Sequence, residues 1–462
     1  MSTGRRGPTH RDECVIHPKF GVVRRQTRPS SRQNQSVPET EKPQRHIGAM
    51  LIALVVGVVL GVAYLQLLHV ALDILWTDIP KAIDNVTLNR IYTVVFLVVG
   101  ASLVVWLRRS SGVFGHSPLD GLAVHVDPIR SSLISLAAVV ISLFSGAVLG
   151  PEAGLIAMGT ALGVWMSKLA KAGETEKEKL VKVAVLGAVI GLVVNMGAGG
   201  TINIVSVPLE LAWTDFVWAI PGGIVSSLII VAIRLPAYYL RDWGDARPPH
   251  VYRGAIVGLL IAIVAIIGIA LSEADPRLIL GSGEGYIEQV LAITSVSTIV
   301  IIIIAKGIAY SLCLGGGLRG GPIFPAMFIG GAVGAIFIQL GAGAEVNMLA
   351  ASGVLAATCT HLKLNFKAMV IVAVVFGLLL GSPLLIPSCL IGMVIGDILR
   401  HLLSKVPGVG PVADEPDTVP TAATAWIVGS QPAESRLRLS AVASSISYAS
   451  SMSVASLANG PE

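Results

Sequence analysis

The stretch LFSGAVLGPEAGLIAMGTALG (Leu143–Gly163) is apolar and glycine-rich, and its single charge is Glu152. Carboxylates inside membrane-buried segments are costly and are functional by default. Proline favours the first helical position, where its missing N–H would be unbonded anyway. Pro151 is therefore expected to start a helix and to place Glu152 in the first turn. That end of a helix carries free N–H groups and the positive end of the dipole. Small anions bind there without a cationic side chain. Glu152, itself an anion, can occupy such a site, be displaced from it by a small anion, and lose its hold on protonation. It reads as a gate and a carrier of protons. The competing reading is a structural helix-start glutamate satisfied by its own N–H groups.

The rest of the chain places this stretch in a membrane. Of 462 residues, 53% are hydrophobic and 13% charged, and the mean hydropathy is +0.77. A soluble globular chain carries about 25% charged residues, so this one lacks the polar surface to cover itself in water. Apolar spans are expected at 47–73, 91–107, 131–167, 182–212, 216–238, 253–271, 293–314, 321–340, 346–360, 366–380 and 383–404. Several are shorter than the ~20 residues of a straight crossing, and others are longer and broken by Gly or Pro. The pattern predicts an all-α polytopic membrane protein with tilted and half-length helices. Polar loops are expected at KAGETEKEK (171–179), YLRDWGDARPPHVYR (239–253) and SEADPRLILGSGEGYIEQ (272–289).

The net charge is +5, and residues 1–46 hold ten Lys/Arg against four acids. Next to the first apolar span, that bias predicts a cytoplasmic N-terminus rather than nucleic-acid binding. This segment and the Ser/Ala/Pro-rich 405–462 are expected to be disordered cytoplasmic ends. None of the four cysteines forms a CxxC pair, and Cys313, Cys359 and Cys389 lie in apolar segments as buried thiols. No metal-ligand cluster or nucleophile constellation is evident, so neither an enzyme nor a cofactor is expected.

An internal repeat supports the site. GPEAGLIAMGTALG (150–163) aligns with GPIFPAMFIGGAVG (321–334), with Gly150, Pro151, Gly159, Ala161 and Gly163 on Gly321, Pro322, Gly330, Ala332 and Gly334. Gly/Pro-interrupted segments in corresponding places of two halves point to a transporter binding site. The alternative is small-residue helix packing. The second copy carries Ile323 where the first carries Glu152. Its glycines, Gly320 and Gly321 among them, allow close approach, and the N–H groups of Ile323 and Phe324, just before Pro325, could face an anion. Arg319 just before reads as a nearby positive field or as a snorkelling interface residue, the second favoured. A third candidate is FGHSPLDGL (114–122), where Gly115, His116, Ser117 and Pro118 enter a new segment. Ser117 is either a hydroxyl donor to an anion or a helix cap. His361 and Lys363 in CTHLKLNFK read as an interfacial loop.

Together the three segments resemble the CLC family of chloride channels and H+/Cl− exchange transporters. GPEAGLIAMG is similar to that family's G-[KR]-E-G-P motif, with Glu152 on the gating glutamate. GGPIFPAMFIGGAVG is similar to G-x-F-x-P, and GHSPLDG to a degraded G-S-G-I-P. PRLILGSGEGYI (276–287) and Lys306 are lesser echoes. The resemblance implies two inverted repeats, here 47–238 and 239–404, intracellular termini, and a homodimer with one anion pore per subunit. It places the bound substrate, chloride foremost, among Gly115–Pro118, Gly150, Pro151, Ala153, Gly154, Gly320, Gly321 and Ile323–Pro325. Pro151 replaces the motif's basic residue, Gly115 stands at the serine position, and RHLLSKVPGVGP lacks the family's pore tyrosine. Glu210, in NIVSVPLELAW, is a possible proton residue or a paired, buried carboxylate. The expected role is transport of small monovalent anions in a plasma membrane, as a channel or an H+-coupled exchanger of chloride or fluoride. The rival is a cation-coupled carrier of organic solutes.

Overall fold

The computed structural model describes residues 47–407 and 409, apart from 84, 114, 116, 121–123, 200–210, 246–250 and 363–365. The expected disordered ends, 1–46 and nearly all of 405–462, therefore lie outside the described residues, as do His116, Glu210 and Lys363. The first half holds α1 (Ile47–Asp73), α2 (Ile79–Ala82), α3 (Val86–Ser111), α4 (Ile129–Phe144), α5 (Glu152–Leu169), α6 (Glu174–Gly199) and α7 (Trp213–Asp245). The second holds α8 (Val251–Ser272), α9 (Pro276–Ile279), α10 (Ile287–Leu291), α11 (Val296–Gly315), α12 (Ile323–Gln339), α13 (Val346–His361), α14 (Phe366–Leu379) and α15 (Ile386–Leu402). No β-strand occurs among the described residues; one isolated bridge pairs Gly150 with Gly321.

Among the described residues, seven helices are long and apolar enough to cross a membrane. Others are too short: at about 1.5 Å per residue, the 17 residues of α12 fall short of a ~30 Å hydrocarbon core. The apolar stretch 131–167 is two helices, α4 and α5, separated by the glycine turn and Pro151. All three expected loops are partly helical; SEADPRLILGSGEGYIEQ holds α9 and the start of α10. In KAGETEKEK, α6 begins at Glu174, where acidic residues favour a helix start and Lys177–Glu174, Lys179–Glu176 and Lys182–Glu178 pairs stitch successive turns. After Tyr238, α7 continues through YLRDW to Asp245; the polar and charged residues there are compatible with a helix.

Glycine brings the helices close. A Cβ on Gly57 or Gly61 of α1 would press into the carbonyl oxygens of Ala184 and Ala188 of α6, and one on Gly187 or Gly191 into those of Leu54 and Val58. Each helix thus offers small residues four apart to the other's backbone. α12 and α13 cross the same way, Gly330 against the Gly353 carbonyl and Gly353 against that of Gly330. Gly330→Val should separate these two buried helices at a cost on the order of 3 kcal/mol. The check is a lowered thermal transition of the purified protein in detergent; an unchanged transition would mean the contact is dispensable.

Candidate functional site

The two halves repeat each other at the site. Glu152 and Ile323 both begin helices, and they stand 171 positions apart. The preceding helices end at Phe144 and Gly315, at the same offset. Each is followed by a glycine in the left-handed region, Gly146 at φ +86° and Gly317 at φ +93°, a conformation that glycine adopts without steric cost. At Gly146 a side chain would also overlap the Trp76 ring, whose Nε1 donates to the Phe144 carbonyl at 2.9 Å.

The two turns then meet. Gly150 N–H donates to Gly321 O, and Gly321 N–H to Gly150 O, both at 2.6 Å. Two more bonds obey the same symmetry: Val148 N–H donates to Cys313 Sγ at 3.3 Å, and Arg319 N–H to Ser142 Oγ at 3.0 Å. Donors and acceptors both sit at the repeat offset. Sequence comparison missed this pair because a thiol and a hydroxyl fill the same acceptor role.

At the next position the symmetry breaks. Pro151 is the cap rather than the first helical residue, and Glu152 opens α5. Its carboxylate reaches the other half's helix: Oε1 accepts N–H bonds from Ile323 and Phe324, each at 3.1 Å. Glu152 is 5% exposed, so it is a charged acceptor on a helix tip away from water, the arrangement that strengthens such bonds. Pro322 and Pro325 have no N–H, which leaves Ile323 and Phe324 as the donors of this turn. Gly150 and Gly321 leave room for the carboxylate as it is seated, since a Cβ on either would overlap Glu152 Oε2 there. The Tyr64 hydroxyl packs on Gly154 in the same sense.

Buried polar side chains brace the second turn from below. Tyr310 Oη donates to Pro322 O at 2.6 Å, and its ring stacks on His361 at 6.0 Å. His361 Nε2 lies 3.3 Å from Pro118 O. Fully buried Arg234 donates to the carbonyls of His361 and Leu119. His361 is thus a buried link and not part of an interfacial loop: the last turn of α13 carries it beneath α12. Arg319 is also buried, at 8% exposure, and does not snorkel. It lines a cavity of about 70 Å³ with Gly115, Ser135, Ala153, Thr160 and Gly320, among others. Residues from all three sequence motifs therefore converge. Gly115, with φ +62°, lets Arg319 and Ser135 approach. Ser117 contributes its carbonyl to a turn closed by Asp120 N–H, and its hydroxyl has no hydrogen bond among the described residues.

Comparisons with known proteins bear on the family and the fold. The sequence profile described as voltage gated chloride channel matches residues 177–399. The fold superposes on a slow cyanobacterial Cl−/H+ antiporter with a TM-score of 0.62 at 17% identity, covering 77% of this chain and 95% of that one. The profile match over residues 177–399 and the shared fold support the CLC family for this chain. Two other CLC structures align with it: a CLC-type fluoride/proton antiporter, with a TM-score of 0.55 at 16% identity over 77% of this chain and 97% of that one, and a eukaryotic CLC transporter, with 0.51 at 15% over 77% and 72%. No curated protein matches the chain by sequence.

Proposed function

We propose that this CLC protein moves small monovalent anions, chloride foremost, across a membrane, and that Glu152 is its gate. One observation carries the reading: a side-chain carboxylate sits on the two N–H groups of a helix tip that could otherwise hold a free anion. The carboxylate stands in for the anion, and the two compete for one seat. Gly115, Ser117, Pro118, Ala153, Gly154 and Gly320 line the approach, and the protein acts as a homodimer in the cell membrane with both termini in the cytoplasm. The family members of known structure that resemble it include Cl−/H+ and fluoride/proton antiporters, which supports an exchanger reading beside the channel one.

The test is anion efflux from liposomes containing the purified protein, with chloride replaced in turn by nitrate, fluoride and gluconate. Chloride should leave and gluconate should not. Proton uptake driven by the chloride gradient marks an exchanger, and efflux without it marks a channel. Efflux of amino acids or sugars in place of chloride would support the cation-coupled carrier and end the anion reading.

A further inference from the structure

A second polar cluster adjoins Glu152. Tyr64 of α1 sets its hydroxyl against Gly154, in the first turn of α5. Five residues on, His69 Nε2 lies 2.8 Å from Oε1 of Glu284, in the turn before α10. Glu284 is 7% exposed. Its Oε2, the Tyr64 hydroxyl and Glu152 Oε2 are all buried with no hydrogen-bond partner among the described residues. The three are electrostatically coupled: both carboxylates act on Tyr64, and Glu284 acts on Glu152. A buried polar atom left unpaired is costly, so three in one cluster call for a role. A hydroxyl and two carboxylate oxygens are the composition of a proton relay.

The surrounding charges set its ends. Asp73 of α1 pairs with Arg277 at 2.5 Å, and Arg277 lies over the Tyr286 ring. Lys306 of α11 donates to the carbonyls of Ile279, Leu280 and Gly281 and sits over Phe328, beside Gly283. Tyr310 is committed to Pro322. Between them, the His69 side chain is 26% exposed, which gives the cluster an outlet.

We propose that His69, Glu284 and Tyr64 form a proton route between Glu152 and the aqueous face near the C-terminal end of α1. A proton on His69 Nε2 passes to Glu284 Oε1. Tyr64 takes a proton from Glu284 Oε2 as it gives its own to Glu152 Oε2. Carboxyl rotation or a bridging water closes the gaps. The net change is one charge lost from the imidazolium and one from the Glu152 carboxylate, with only N–H and O–H bonds exchanged. The route rests on Glu152 being the gate.

The test uses the full chain in chloride-loaded liposomes, recording chloride efflux and proton uptake over a pH series for the wild type, Glu284→Gln, Tyr64→Phe and Glu152→Gln. Interrupting one transfer step should lower protons moved per chloride about tenfold in Glu284→Gln and Tyr64→Phe, and flatten the pH profile of efflux. Tyr64→Phe removes one oxygen and keeps the packing, so it reports even where Glu284→Gln fails to fold. A wild-type ratio and pH profile in Tyr64→Phe, with both lost in Glu152→Gln, overturns the route and leaves the gate standing. A wild-type profile in Glu152→Gln overturns the gate and the route with it. A wild type that moves chloride with neither proton uptake nor pH response also overturns the route.

Discussion

Glu152→Gln should raise chloride efflux about tenfold at neutral pH and remove its pH dependence. In the wild type the carboxylate holds the N–H groups of Ile323 and Phe324. Hydrogen bonds to a charged acceptor contribute about 1.5–3 kcal/mol against about 0.5–1.5 for a neutral one. A carboxamide keeps the shape and loses that difference, so the seat becomes easier to vacate by roughly 1.4 kcal/mol, a factor of about ten. The sign with pH follows from the charge. Acid neutralises the wild-type carboxylate and releases it, so wild-type efflux rises as pH falls and approaches the variant's. The glutamine does not titrate and its profile stays flat. Any proton coupling carried by Glu152 disappears with it. The measurement is efflux against pH for both proteins side by side; parallel profiles would remove Glu152 from the mechanism.

How much of this was legible in the chain depends on which physical signal each feature leaves. Composition alone marks the membrane, because apolar length is a property of local sequence. The repeat offset marks the two helix starts, because Pro and Gly punctuate both copies at Glu152 and Ile323. That Glu152 reaches into the other half was not local information. A glutamate in a first turn reads as serving its own helix, and only the meeting of Gly150 with Gly321 puts the second helix tip within its reach. His361 illustrates the same limit. In sequence it stands in a polar break, yet Arg234 and Tyr310, distant in the chain, enclose it. Tyr64 and His69 left no motif, and the Glu284 partner of His69 lies 215 positions away in the chain. The end of α7 was missed because charged residues do not stop a helix.

Gly321→Ala gives a sharper test of the seat, since it acts on the carboxylate without touching its charge. A methyl at Gly321 would meet Glu152 Oε2, Cδ and Cβ before any other group outside its neighbours. The clash therefore falls on one side chain that can rotate and not on backbone, and Gly321 is not among the glycines with positive φ, so alanine fits the local conformation. The expected result is a carboxylate displaced from the α12 tip and chloride efflux raised toward the level of Glu152→Gln, with a weakened pH response. The opposite outcome has a definite cause: the methyl itself would fill the anion's seat and lower efflux. The double variant Glu152→Ala, Gly321→Ala separates them. If the methyl acts by expelling Glu152, adding it to a chain without that carboxylate changes nothing, and the two effects fail to add, as expected for contacting residues. If it blocks the anion, the double variant loses efflux relative to Glu152→Ala. In that case the seat lies closer to Gly321 than the Glu152 carboxylate marks it.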